Sequence, residues 1–468
     1  MTPRDDLVIV PFVAEELGNS AYLVGSRASG DAALIDPVRD IEQYLVEAER
    51  LGLRIIATLE THIHNDFVSG AREVAQVTGA TLGASAMAGL AYPYQPVTDG
   101  ETLRVGSWQV QVVATPGHTP EHVSYLLTTE GGTPEALFSG GSLMVGTIAR
   151  PDLLGPQHTP RLARAAYTTL YERLLVLPDE VGVYPTHGGG SFCAAGAGGA
   201  RTTSIGHERA HNPLVQAQTY QQFLARYLQL VPYPAYYGRM RELNRTGHAP
   251  LLGRSLPALR PLSPDAVEAA LTTQGAVLVD ARPFTDYDAG HIPNSLSAGI
   301  DGPLSAWVGW VVSPETPLVL LGATRDDERE AQRQLLRIGY DRILGTLEGG
   351  IEAWRAAGKS LKSTSPATTA ALAEALERGD ELVILDSREE YEWAQGHIPG
   401  AVLMPVGAIP AEAHRLPHDA PVAVHCAHGY RSSVAASLLE RAGVPHIQHV
   451  TDGYEEWERI MRRAAERQ

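Results

Sequence analysis

A chain of 468 residues and 50.2 kDa has room for about three domains of ~150 residues, and 44% hydrophobic against 19% charged residues gives each of them material for a core. The formal charge of -17 excludes a nucleic-acid backbone or an anionic membrane surface as the main partner. Its two cysteines, Cys193 and Cys426, exclude a disulfide scaffold and a zinc cluster built from thiolates. The opening MTPRDDLVIV passes from charge into a strand pattern without the apolar core of a signal peptide. No run reaches the ~18 apolar residues of a membrane span. The expectation is a cytoplasmic protein with neither nucleic acid nor membrane as partner.

In the first part of the chain, LRIIATLE, VQVVA, HVSYLLT and VGVYP read as short strands, each running into a loop rich in Gly, His, Pro or Asp. Groups held on loops at strand ends are a common arrangement for catalysis. TLETHIHNDFVSGA sets His62, His64 and Asp66 at alternate positions; PGHTP then supplies His118, and YPTHGGG supplies His187. Imidazoles and a carboxylate converging from separate strand ends are what a Zn or Fe site requires. Any one of these histidines alone is more often a surface or hydrogen-bonded residue; the ordered series is far more specific. Cys193 follows in the Gly-rich SFCAAGAGG. It reads either as a thiol that receives sulfur or closes onto substrate, or as a small apolar residue in a turn.

The segment from about Asp6 to Gly247 resembles the metallo-β-lactamase superfamily and, within it, the persulfide dioxygenases, some of which are fused to rhodanese domains. The stretches ETHIHND, TPGHTPEHVSY, RPDLLG, YPTHGGGSFC and PYPAYYGRMRELNRTG carry the resemblance. It implies an αββα sandwich holding one Fe(II), in preference to Zn, on two His and one Asp. Positions are then open for O₂ and for a thiol persulfide that is oxidised to sulfite. His62 and His118 fall on the two histidine positions, but Gly141 stands where the family has its Asp. Phe67 stands where two-metal thioester hydrolases such as glyoxalase II have a His. Three readings stay open. His64 or Asp66 completes the site, with His187 beside it; water fills the gap in a weak centre; or no metal is held and the domain is a binding scaffold. Arg239, in the last of the quoted stretches, and Cys193 are candidate substrate-binding residues.

HAPLLGRSLPALRPLSP and KSTSPATT have compositions that resist helix and strand, and they read as linkers. They divide the chain into residues 1–249, 262–361 and 368–468. The last two segments repeat each other: VLVDARPFTDYDAGHIPNS matches VILDSREEYEWAQGHIPGA, with Asp280 and Asp386 106 positions apart. Strands alternating with helices predict an α/β fold with a parallel sheet in each copy.

VAVHCAHGYRSSVAASLLERAG reads as strand, tight loop and helix, with six residues from Cys426 to Arg431. A thiol at a helix N-terminus beside an arginine is favoured as the thiolate, the form a sulfur nucleophile needs. Gly429 lets the loop close around the sulfur, and His428 and Tyr430 line the same loop. The bland alternative is a buried inert cysteine. With its DSR, GHIPGA and CxxGxRS elements, this segment resembles a rhodanese domain, which implies a persulfide carried on Cys426. Related phosphatases have a loop one residue longer. The first repeat has Gly322 opposite Cys426 and no cysteine, so its expected role is structural or interfacial.

The whole therefore implies an α/β multidomain enzyme of sulfide detoxification: a metallo-β-lactamase αββα sandwich followed by two rhodanese-like domains with parallel sheets. The implied partners are a small-molecule thiol persulfide, thiosulfate or sulfite, and a second copy of the chain. The rival readings are a sulfurtransferase with a metal-free binding domain, a non-enzymatic persulfide carrier or sensor, and a metal-dependent thioester hydrolase.

Overall fold

A computed structural model describes residues 3–193, 199–417 and 419–465. They form two compact units, Met1–Pro257 with Leu336–Gly339, and Ala258–Leu335 with Tyr340–Gln468. Among the described residues, no helix is long and apolar enough to cross a membrane.

The first unit holds two six-stranded sheets. One follows chain order: Leu7–Ala14, Asn19–Ser26, Asp31–Ile35, Arg54–Leu59, Thr81–Ser85, Gln95–Val97. The other is ordered Thr203–Ser204, Gly182–Pro185, Pro134–Gly140, Val123–Thr128, Trp108–Ala114, Thr102–Val105. Tyr22, Val24 and Leu59 of the first sheet share one core with Val112, Tyr125 and Phe138 of the second. Leu126 and Leu137 belong instead to the cluster of Ala163 and Ala166 on the helix Thr159–Thr168. Successive residues of a strand face opposite sides, so a strand covered by sheet on one side and helix on the other must be apolar throughout. Val123–Thr128 is buried along its whole length. The result is an αββα sandwich, as the sequence implied.

The second unit contains two five-stranded, all-parallel sheets of the same order. These are Pro261–Leu262, Ile343–Leu347, Leu318–Leu321, Val277–Asp280, Leu296–Ser297, and Ser365–Ala367, Ile447–Val450, Val422–His425, Val383–Asp386, Val402–Leu403. The duplication extends to single hydrogen bonds. Arg282 clamps Asp280 (2.8 and 2.6 Å) and donates to the Gly290 carbonyl (2.9 Å). Arg388 clamps Asp386 (2.9 and 2.6 Å) and donates to the Gly396 carbonyl (2.8 Å).

The linker reading needs one correction. Pro261–Leu262 and Ser365–Ala367, inside the two Pro-rich stretches, are the first edge strands of these sheets. Proline lacks an N–H, but an edge strand needs ladder bonds on one side only, so proline is tolerated there.

Candidate functional site

The histidines of the first unit come together on loops that follow strands. His62 and His64 follow Arg54–Leu59, His118 follows Trp108–Ala114, and His187 follows Gly182–Pro185. Ring centroids of His62 lie 4.9 Å from His118 and 5.2 Å from His187, and those of His118 and His187 are 5.4 Å apart. Each ring is oriented through its Nδ1: His62 by Thr61 Oγ1 (2.8 Å), His118 by the Arg150 carbonyl (2.6 Å), and His187 by Asn19 Oδ1 (3.0 Å) and Asp66 Oδ2 (3.1 Å). That leaves Nε2 as the remaining nitrogen of each ring. The Nε2 atoms of His62 and His187 are 3.2 Å apart, and Nε2 of His118 is buried without a hydrogen-bond partner. Burial, reinforced by the neighbouring imidazoles, pushes His62 well below its ordinary value and His118 down to about 3. Both are neutral rings, the form in which imidazole binds a cation.

His64 and Asp66 are placed differently. His64 Nε2 lies 3.3 Å from Asp36 Oδ1 and 3.1 Å from Glu60 Oε2. Burial opposes its charge, yet the two carboxylates hold it at about 10, an imidazolium in an acidic cage. Asp66 is acidified against its burial by the His187 ring and accepts from Asn19 Nδ2 at 2.7 Å. It is the support of His187. Arg239, on the helix Tyr237–Thr246, donates to the carbonyls of Ile338 (3.3 Å) and Gly339 (2.9 Å) in the same unit.

The two-histidine, one-aspartate set does not fit this site. Gly141 donates its N–H to His122 Nε2 (3.0 Å), and a Cβ added there would stand 2.6 Å from the Cβ of Ala149. The same Cβ would lie 3.2 Å from Cδ2 of both His118 and His187, so the position faces the cluster but its root is filled by a methyl group. Phe67 stacks on His64 with centroids 4.2 Å apart, placing an apolar ring where a second metal would need a donor. Sequence reasoning missed His122, which is buried and stacks on His62 at 4.9 Å. It stands four residues after His118 in the quoted TPGHTPEHVSY, a signal that was available. Asp36, Glu60 and Arg150 were also missed.

Cys193 is fully buried, and burial pushes its thiol well above the ordinary value. Its sulfur and one ring nitrogen from each of His118 and His187 all lie within 4.8 Å of one another. A small pocket lined by Glu60, His62, Ile63, Tyr92, Glu121 and Asn244 touches the cluster at His62.

In the second unit, Val422–His425 runs into the Cys426 loop, and the helix Tyr430–Arg441 follows. Cys426 Sγ accepts from the Gly429 N–H at 3.2 Å and lies 3.4 Å from Ser432 Oγ. Gly429 is required here: its φ is +95°, and a Cβ would meet the Thr451 carbonyl oxygen at 2.3 Å. Arg431 is held bidentately by Glu392 (2.5 and 2.7 Å), so its charge is balanced as well as fixed. His428 is exposed and pairs with Glu455 at 3.2 Å.

The repeat without a cysteine contacts this loop. Tyr430 Oη donates to the Gly299 carbonyl at 2.7 Å, and its ring fills the space where Gly302 would carry a Cβ. His449 Nδ1 bonds Asp288 Oδ2 at 2.7 Å, while its Nε2 lies 2.8 Å from the Gly429 carbonyl and 3.1 Å from Ser432 Oγ.

This architecture is a metallo-β-lactamase domain joined to two rhodanese-like domains. The metallo-beta-lactamase superfamily model matches residues 14–187, and the rhodanese-like domain model matches residues 263–357 and 368–460. The chain belongs to the metallo-β-lactamase superfamily: it is 30% identical to a metallo-beta-lactamase from Staphylococcus aureus, covering 73% of this chain and 98% of that structure with a TM-score of 0.65. It is 27% identical over 193 residues to human mitochondrial persulfide dioxygenase ETHE1, covering 41% of this chain and 69% of the relative. It is 36% identical over 172 residues to the hydroxyacylglutathione hydrolase of a Polaromonas strain, covering 36% and 62%. The chain thus spans about two thirds of the length of these two relatives.

Proposed function

We propose that the chain is a sulfur-handling enzyme that takes sulfane sulfur from a low-molecular-weight thiol persulfide onto Cys426 and passes it to a second acceptor. The observation that carries this reading is the seat of the sulfur. Cys426 Sγ accepts the Gly429 N–H at the mouth of a 12-residue helix, so a backbone donor and the positive end of the helix dipole face the atom that must carry the sulfur. The thiolate attacks the outer sulfur of RSSH, the S–S bond breaks, and RS⁻ leaves, giving a Cys426 persulfide. Sulfite or cyanide then attacks that outer sulfur, forms thiosulfate or thiocyanate, and returns the thiolate. Oxidant and reductant are not needed in either step.

Similarity to persulfide dioxygenase ETHE1 supports a thiol persulfide as the substrate class of the first unit as well. Its histidine cluster is the matching site, and iron is the metal this relationship favours. Similarity to a hydroxyacylglutathione hydrolase raises the rival of two-metal thioester hydrolysis. The Phe67 ring stacked on His64 favours the persulfide reading over that rival.

Incubation with glutathione persulfide or thiosulfate tests the proposal directly. A one-sulfur mass gain on the peptide containing Cys426, with thiocyanate released on adding cyanide, is the expected result, and Cys426→Ser abolishes both. Sulfur loading elsewhere, or turnover that survives Cys426→Ser, overturns it.

A further inference from the structure

We propose that Cys193 is a metal ligand, joining His118 and His187 in a mononuclear site for a divalent transition metal in place of the carboxylate absent at Gly141. The three donors already converge: one sulfur and two ring nitrogens lie within 4.8 Å of one another, all on buried residues. A tetrahedral ion with bonds of ~2.0–2.3 Å separates its donors by roughly 3.3–3.8 Å, so closure by about an ångström suffices.

Independently, His118 Nε2 is buried with no hydrogen-bond partner, although a buried polar nitrogen is normally satisfied. Its Nδ1 is committed to the Arg150 carbonyl, so the free nitrogen is the one available to an ion. His187, the second imidazole of the set, has its Nε2 3.2 Å from that of His62.

The framework around the donors is fixed as a ligand-supporting shell should be. Arg150 binds both sides of the site through its backbone: its carbonyl accepts from His118 Nδ1 (2.6 Å), and its N–H donates to the Cys193 carbonyl (3.0 Å). Its guanidinium is locked by Asp152 (2.7 Å twice) and the Val231 carbonyl (2.7 Å). The HGGGSFC loop between His187 and Cys193 is pressed against Gly18, where a Cβ would stand 2.2 Å from the Ser191 nitrogen. Ser191 Oγ in turn accepts the Cys193 N–H at 3.2 Å. Gly141 offers no side-chain donor and the Ala149 methyl fills the space beside it, while the Cys193 sulfur stands with His118 and His187. Thiolate with imidazole suits Zn(II), Fe(II) or Co(II) better than it suits a hard, oxygen-preferring cation.

The inference does not depend on sulfur transfer at Cys426, so the two readings fail separately. Full-length protein carrying Cys426→Ser, stripped with a chelator and titrated with Co(II), has Cys193 as its one thiol. The expected result is one cobalt per chain with a near-ultraviolet thiolate-to-cobalt charge-transfer band and strong visible d–d bands. Adding Cys193→Ser removes the charge-transfer band and weakens cobalt binding about 10–100-fold. Cobalt bound without the thiolate band in the Cys426→Ser protein, or no stoichiometric uptake by it, overturns the proposal, and neither outcome depends on whether the Cys193 variant folds.

Discussion

Asp288 and His449 are 161 residues apart in the chain and hydrogen-bonded at 2.7 Å through the imidazole Nδ1. The other nitrogen of His449 faces the Gly429 carbonyl at 2.8 Å. The Asp288 carboxylate accepts from Nδ1 and so fixes the ring beneath the Cys426 loop, where Nε2 also lies 3.1 Å from Ser432 Oγ. The carboxylate that holds the ring belongs to the repeat that has no cysteine.

Asp288→Asn therefore weakens the second repeat although the mutation lies in the first. A hydrogen bond to a charged partner is worth roughly 1.5–3 kcal/mol, and that much stability is lost in urea titrations. Sulfur transfer through Cys426 slows as the ring packed against the Gly429 carbonyl loses its anchor. Unchanged stability and rate would show that the Asp288–His449 bond supports nothing.

Gly429→Ala forces a side chain into a left-handed backbone conformation and against the Thr451 carbonyl oxygen. Strain of this kind costs on the order of 1–3 kcal/mol. The expected outcome is a lowered melting temperature together with loss of the Cys426 persulfide in mass spectra. Gly443→Ala, with φ +84° but open space around it, shows the conformational cost without the clash.

Gly141→Asp restores the carboxylate only on paper, because its Cβ meets Ala149 at 2.6 Å. The single variant loses stability. The double variant Gly141→Asp/Ala149→Gly recovers it and binds a divalent metal more tightly than the parent, as measured by equilibrium dialysis. A double variant no tighter than the parent would mean that position 141 does not reach the ion.

Acid stability should show the Arg431–Glu392 pair. Burial works to raise the Glu392 carboxyl, but the Arg431 hydrogen bonds prevail and hold it below its ordinary value. A depressed folded-state value contributes stability that is full above the unfolded-state value, about pH 4.5, and is lost as pH falls through the folded one. The stability difference between the parent and Glu392→Gln is thus flat from neutral pH down to about pH 5 and shrinks below that. A difference independent of pH down to about pH 3 would refute the assignment.

Legibility in the sequence followed how local each feature is. The Cys426 loop is a six-residue contiguous unit whose strand, glycine and helix are all written in order, and it could be read directly. The histidine loops could be read as a series because each follows an apolar strand. The partners that set the state of these groups could not. Asp36 of the His64 cage, and Asp288 beneath His449, come from distant segments, and residue type does not announce that an acid, even the nearby Glu60, is buried. Nor did composition reveal that prolines in the two linker-like stretches sit in strands, because what matters there is a position in the sheet.

All four edges of the parallel sheets are strands of two or three residues: Pro261–Leu262, Leu296–Ser297, Ser365–Ala367 and Val402–Leu403. Two of the four include a proline, which removes one of the few N–H groups such an edge could offer. A neighbouring chain seeking to add a strand finds almost no unpaired backbone ladder to dock on. The duplicated unit can thus keep strongly apolar central strands such as Leu318–Leu321 and Val422–His425 without templating its own aggregation.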